Sequence, residues 1–448
     1  MKCSRIFSST LLAILLGAGL LLAQANPAAV EQLKSPDAGT RAQAARDLGK
    51  SGDVSAVKPL AAAITDPSEK VRREVVVALS AFRSPEALDA LITATRDTDP
   101  DIRVLAVRGL VGYYTGQTPS FGFVAFWKRA WRTAKSRFVE ENVRIDPGVK
   151  VEPQVVSALA ATLNDTRAIK AAREAADGLG ILLTKDAVPD LVVAANSPDE
   201  GLAVEALNAL AKIKDTSTGP KLLNLLDSPD KEVKQQAAVT VGILRTSDAL
   251  PKLQAMYKNN PDARTRDKAL EGLAYLGSPI SLPLFLQALW SSDNSHRTLA
   301  AQGLARAGDA KALPDLQKAV LVEKDAEARL AIQFAITSLG KDDYLSTLVG
   351  ELNSKFRGDS AQAYLVELSR NPQFLAKLYP YLNSKDPAVR RRLCTVLMFS
   401  GDSTTVEPLE RLSHDPNNSV ALEAVRALRA IRARAPASTT SRGTETHP

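Results

Sequence analysis

Two ladders of proline constrain this chain more than any other feature. The first runs Pro36, Pro67, Pro100, Pro198, Pro229, Pro261, Pro387 and Pro416, mostly after Asp, Ser or Asn. Its successive gaps are 31, 33, 98, 31, 32, 126 and 29 residues. The second runs Pro59, Pro153, Pro189, Pro220, Pro251, Pro283, Pro314 and Pro408, mostly about 22 residues behind the first. Variants without the proline, at Thr166, Asn294 and Ala326, fill the long gaps. A fixed period of this length marks a stack of small repeats, none of which can bury its apolar face alone.

One unit shows the logic. Asp66-Pro67 makes a turn, and Pro67 presets the backbone for helix entry. Val71-Arg72 follows, then Val75, Ala78, Leu79 and Phe82 at helical spacing. Ser84-Pro85 restarts the chain as a second helix, with Ala87, Leu88, Leu91 and Ile92 apolar. Asp99-Pro100 opens the next unit, where Ile102-Arg103 repeats Val71-Arg72. Val233-Lys234, Ala328-Arg329 and Val389-Arg390 hold the same place later. One cation per repeat beside a turn Asp reads as a structural ladder of ion pairs between repeats, in preference to a basic stripe for an anionic partner. Small residues such as Ala44, Ala45, Ala237 and Ala238 let neighbouring helices approach closely. Leu48-Gly49, Leu179-Gly180, Leu276-Gly277 and Leu339-Gly340 read as glycine helix stops.

The turn Asp-Pro, the Val/Ile-Arg pair, the Ala-x-x-Ala-Leu-Gly core and the second-helix Pro resemble the HEAT-like repeats of the short bacterial type, also called phycobilisome-lyase HEAT-like repeats. The resemblance implies an all-α fold, a right-handed alpha-alpha superhelix (HEAT-like solenoid) of about eleven two-helix repeats with one inserted segment. It covers residues 35–434, with an incomplete last unit. It implies fold more than function, because such repeats serve as scaffolds for many activities.

The ends read differently. Lys2 and Arg5, the apolar run 11–22 and Ala23-Gln24-Ala25 have the order of a cleaved export signal. The competing reading is an uncleaved anchor, at the short limit for a spanning helix. Residues 1–25 are therefore expected to be a signal peptide and 26–434 the solenoid, with a periplasmic or secreted location. Residues 435–448 are Ser/Thr-rich, lack a hydrophobic pattern and are expected to be a disordered tail. Before them, Ala424, Val425, Leu428 and Ile431 form the apolar face of a terminal helix, with Arg426, Arg429, Arg432 and Arg434 outward or trailing its end.

Without Lys2 and Arg5 the net charge falls from +7 to +5, a mild excess that gives little support for nucleic-acid binding. Cys3 lies in the signal, so Cys394 is the one cysteine of the mature chain and reads as a buried structural thiol.

The period breaks once. After Tyr113-Tyr114 the second-helix signal returns only at Val151-Glu152-Pro153, so residues 115–150 form an insertion. Insertions in repeat proteins project from one face, often the binding face. This one holds six of the chain's 22 aromatic residues and two of its three tryptophans. On a helix, Phe123, Trp127, Trp131, Ala134 and Phe138 share a stripe, while Lys128, Arg129, Arg132 and Lys135 fall opposite. Two readings stay open. The aromatic face folds back as a lid over the solenoid, or it contacts a partner protein or a membrane surface. In the second reading Phe123, Trp127, Trp131, Lys128, Arg129, Arg132 and Lys135 are the partner-binding residues.

Signals of catalysis are weak. The histidines are His296, His414 and His447, none with another His or Cys at metal-ligand spacing. No His-Glu pair, phosphate-cradling glycine loop or G-x-S-x-G turn occurs. His296 reads as a surface or capping residue near a helix start. No catalytic residue, cofactor or metal is expected. The resemblance does admit an enzyme, since some relatives attach bilin chromophores, but an export signal would separate this chain from cytoplasmic antenna substrates. The expectation is an exported monomeric scaffold binding a protein partner. A peripheral membrane-associated adaptor is the second reading, and a lyase or other enzyme the third.

Overall fold

The computed structural model describes residues 26–116 and 145–434. The expected signal segment 1–25, the tail 435–448 and the aromatic stripe of the insertion lie outside the described residues. The described residues divide into two compact units, one of residues 26–116 and 165–174, the other of residues 145–164 and 175–434.

Helices account for both units. The first carries α1 (Pro27–Gln32), α2 (Ala38–Ser51), α3 (Val57–Ala62), α4 (Glu69–Leu79), α5 (Pro85–Ala94) and α6 (Pro100–Thr115). Next come α7 (Pro153–Asn164) in the second unit and α8 (Ile169–Ile181), whose residues are divided between the units. The second unit continues with α9 (Val188–Ala195), α10 (Glu200–Ile213), α11 (Lys231–Ile243), α12 (Leu250–Asn259), α13 (Ala263–Leu276), α14 (Leu282–Ala288), α15 (Asn294–Ala307) and α16 (Leu313–Val322). It ends with α17 (Ala326–Ser338), α18 (Leu345–Gly350), α19 (Gly358–Leu368), α20 (Pro372–Leu378), α21 (Pro387–Ser400), α22 (Val406–Leu412) and α23 (Asn418–Arg434). A first helix of each repeat packs on the first helix of the next, as α2 does on α4 and α11 on α13. The fold is an all-α solenoid. Between α10 and α11 the second helix is replaced by a 3-10 stretch, Thr216–Asp227, with Pro220 inside it.

Capping explains where the first helices start. Asp37, Asp199, Asp230 and Asp262 each accept a backbone N–H of the first turn. The expected role of the first proline ladder changes accordingly. Pro67 stands before the Ser68 cap and does not enter the helix, whereas Pro100 and Pro387 occupy the first helical position.

The Val/Ile-Arg cation has the structural role the sequence predicts. Arg72 grips Asp97 with two bonds of 2.7 and 3.0 Å and donates a third, of 3.0 Å, to the Asp66 carbonyl. One guanidinium thus ties the turn before its helix to the turn that opens the next repeat. Arg41 with Asp66, Arg297 with Glu323 and Arg390 with Asp415 repeat the arrangement. Arg329 instead donates to the Glu323 carbonyl.

The apolar stripes are inside. Leu79, Leu110, Leu207, Leu273 and Leu304 are fully buried. Two of the four Leu-Gly pairs are helix stops: Gly277 and Gly340 are left-handed, at φ 61° and 93°. The other two are packing sites within helices. A Cβ on Gly49 would lie 2.6 Å from Ala78 Cβ, and one on Gly180 would lie 2.7 Å from Ala209 Cα. These glycines let first helices pack almost backbone to backbone.

In α23, Ala424, Leu428 and Ile431 are buried as expected, but Val425 is exposed. The buried set also takes in Ala427 and Ala430, because the inward stripe runs at three- and four-residue steps and Val425 is one step off it. Arg426 does not simply face solvent. It holds Asp146, 280 residues away in sequence, at 2.7 Å. Ile145 donates its N–H to the Ile181 carbonyl, so residues 145–146 bridge the end of α8 and the last helix within the second unit. Among the described residues, no helix is long and apolar enough to cross a membrane.

Candidate functional site

The site residues predicted from the insertion, Phe123, Trp127, Lys128, Arg129, Trp131, Arg132 and Lys135, lie outside the described residues. Within the second unit the structure shows a different place where chemistry converges, at the C-terminal ends of several first helices.

That place follows from how these helices end. A helix stop of this type needs one residue in the left-handed region, where glycine carries no Cβ penalty. Gly277, Gly308 and Gly340 supply it after α13, α15 and α17, at φ 61°, 68° and 93°. The three preceding repeats place Leu183, Lys214 and Arg245 there, at φ 52°, 58° and 55°. Each is strained relative to glycine by about 1–2 kcal/mol. Leu183 does not line the cavity; Lys214 and Arg245 do.

The cavity measures about 120 Å³. Besides Lys214 and Arg245, its polar lining comes from Tyr275, Arg306, Glu367 and Arg370. Arg306 has a nearly buried side chain and grips Glu367 with Nε to Oε1 and Nη2 to Oε2, both at 2.9 Å. It also donates to the Ala274 carbonyl at 3.3 Å and lies 4.8 Å from the Tyr275 ring centroid. Burial works against the charge of Glu367, but Arg306 beside it prevails and holds the carboxyl below its usual range. Tyr364 closes the apolar side. Its ring stacks on Phe334 at 4.3 Å, its hydroxyl accepts from Gln302 Nε2 at 2.8 Å, and burial pushes its pKa up.

Arg245 and Arg370 are exposed where they line this cavity, and neither guanidinium has a hydrogen-bond partner among the described residues. Desolvation pushes the Arg245 pKa down, and repulsion from Arg306 and Arg370 adds to it, while Glu367 opposes. An arginine stays charged through such a shift. The cavity therefore holds one ion pair and two further guanidinium groups, more positive charge than its one carboxylate offsets. The signal was present in the sequence as the two cations of the run Leu183, Lys214, Arg245, Gly277, Gly308, Gly340, where the helix stop falls once to leucine and three times to glycine. It emerges only when the repeats are aligned on their helix ends, not on their turns.

His296 lies near a helix start, as the sequence suggests. It follows the Asp293 cap, its Nε2 lies 2.7 Å from Asp267 Oδ1, and its ring meets Tyr257 edge-on at 6.2 Å. Cys394 is fully buried, and burial pushes its thiol up to about 12.

A family model described as HEAT repeats matches residues 26–111, 188–274, 258–337 and 375–440. No curated protein matches the chain. Among solved structures, an engineered protein is similar at 21% identity, over 90% of this chain and 98% of its own, with a TM-score of 0.33. YIBA_ECOLI is similar at 16% identity, over 76% of this chain and 100% of its own, with a TM-score of 0.34. The complex of CpcE and CpcF of phycocyanin lyase from Nostoc sp. PCC7120 is similar at 18% identity, over 69% of this chain and 93% of the matched chain, with a TM-score of 0.25.

Proposed function

The chain belongs to the HEAT repeat family, and on that premise we propose that it is an exported, non-enzymatic scaffold that binds a protein partner through its repeat surface and the 115–150 insertion. The supporting observation is a pair of large apolar side chains at one repeat position. Trp290 and Leu321 are 31 residues apart, follow the second-helix prolines Pro283 and Pro314 by the same seven residues, and are 52% and 82% exposed. Val322 and Phe356 are also exposed nearby in the chain. Exposed aromatic and aliphatic anchors presented from a fixed stack suit protein recognition. Export is supported by the order of residues 1–25, and the role of the insertion by its aromatic stripe.

The test is capture from the exported fraction with the mature chain. One partner should be retained at constant stoichiometry by the wild type and lost from Trp127→Ala/Trp131→Ala, with an unchanged melting temperature. A clear fall in melting temperature with undiminished capture would make the insertion a lid and overturn its binding role. Co-sedimentation with anionic vesicles in place of a protein partner would overturn the scaffold reading in favour of a membrane adaptor.

A further inference from the structure

We propose that the cavity between the first-helix ends of the second unit binds a phosphoryl group, as free phosphate or a phosphate monoester, between Arg245 and Arg370. Nothing in the scaffold reading requires this site.

Charge carries the first step. Glu367 accepts from Arg306 with both oxygens, and this one carboxylate faces three arginines, so the cavity keeps an excess of positive charge. Arg245 and Arg370 line the same cavity, and their guanidinium groups have no hydrogen-bond partner among the described residues. Two such groups match a phosphoryl group, which carries about −1.5 to −2 at neutral pH and offers three acceptor oxygens. Guanidinium forks fit those oxygens in pairs of parallel bonds.

Size carries the second step. A volume of about 120 Å³ is well under the roughly 300–1,000 Å³ of sites for drug-sized ligands. It matches a compact tetrahedral anion, with any substituent of a monoester left toward solvent. Tyr275 and Tyr364 form part of its wall.

Backbone strain carries the third. Cations near any helix C-terminus complement the carbonyl end of the dipole, so their presence alone means little. Here Arg245 occupies a left-handed position that glycine fills in the next three repeats. A lysine or arginine elsewhere on the last turn would serve the dipole without strain. The strained position instead places Arg245 in the cavity lining. Departures of this kind cluster at ligand sites.

The experiment uses the full mature chain and isothermal titration at constant ionic strength. The probes are inorganic phosphate in one arm and phenyl phosphate in the other. Arg245→Gly removes the guanidinium from a backbone position that suits glycine, so its fold should be kept. Arg370→Gln removes the second, and Arg264→Gln, an exposed arginine outside the cavity, is the control. Saturable 1:1 binding is expected, weakened roughly tenfold to a hundredfold by either cavity variant, the range for losing a charge-assisted contact, and unchanged by the control. Weaker binding of phenyl phosphate than of phosphate assigns the free ion; equal or tighter binding assigns a monoester. Absence of saturable binding in both arms, or equal binding by the wild type and both cavity variants, overturns the proposal.

Discussion

Arg306 and Glu367, 61 residues apart in sequence, meet in a two-bond pair that joins α15 to α19 across the intervening α17. The Arg306 side chain is 6% exposed and that of Glu367 29% exposed. Breaking a buried pair by removing one partner leaves a desolvated charge behind, which costs roughly 3–5 kcal/mol. Glu367→Ala should therefore lower stability by about 3 kcal/mol in urea unfolding, toward the low end because Glu367 is partly solvated. Replacing both groups, as Arg306→Met with Glu367→Leu, should recover most of that loss. A single-variant effect under about 1 kcal/mol would place the pair with screened surface bridges.

The turn carboxylates set the acid limb of stability. Hydrogen bonds from Arg41, Arg297 and Arg390 hold Asp66, Glu323 and Asp415 below their ordinary values of 3.8, 4.5 and 3.8. With a folded pKa below the unfolded one, the unfolded chain binds more protons as the pH falls between the two. The stabilisation is thus fully present above the unfolded values and is lost as the pH drops through the folded ones. Melting temperatures should begin to fall below about pH 5, and Asp415→Asn should flatten that slope while lowering stability at neutral pH. An acid limb unchanged in Asp415→Asn would remove the ladder from the account.

Glycines of the two kinds should respond differently to alanine. A Cβ on Gly242 would lie 2.2 Å from the Gly272 carbonyl oxygen, so Gly242→Ala must push α11 and α13 apart. Overpacking of this kind costs about 1–3 kcal/mol. Around Gly340, at φ 93°, there is open space, so Gly340→Ala meets only backbone strain. Gly242→Ala should also loosen the helix pair in hydrogen exchange, whereas Gly340→Ala should lower stability without local opening.

The sequence made the repeat legible because turn, cation and core recur at one spacing, and each recurrence supports the others. Arg72 was readable as a ladder residue since a turn carboxylate recurs beside several of its equivalents, as Asp66 beside Arg41 and Asp415 beside Arg390. The Leu-Gly pairs were read only half correctly. A glycine that ends a helix and one that admits a neighbouring backbone look alike in a single chain, and three residues separate Gly49 from the true stop at Gly52. Val425 was misplaced because an apolar residue one step off the stripe resembles one on it. The cavity was not legible from turns at all. Its residues come from α10, α11, α13, α15 and α19 or the turns just after them, which only the stacking brings together.

Cys394 should be inert in the native protein. A thiol pushed up to about 12 by burial carries almost no thiolate near neutral pH, and thiolate is the reactive form. Labelling by a disulfide reagent should proceed only at the rate of local or global opening. Fast stoichiometric labelling at neutral pH would contradict its placement in α21.

Damage to the core should stay local. Leu79, at the end of α4, and Leu207, within α10, are both fully buried in first helices, one in each unit. Truncation to Ala removes buried methyl groups and leaves a cavity, a loss of about 2–5 kcal/mol. In a stack, each repeat contacts mainly its neighbours, so stability is close to a sum of repeat and interface terms. Leu79→Ala should therefore raise amide exchange in α2, α4 and α6 and leave α13 to α17 unchanged, and Leu207→Ala should act mainly on α10 and α11. The measurement is hydrogen exchange by mass spectrometry in native buffer, below the denaturant needed for global unfolding. Exchange that rose evenly through all repeats in either variant would mean the solenoid opens as one cooperative body, and the nearest-neighbour account of its stability would fail.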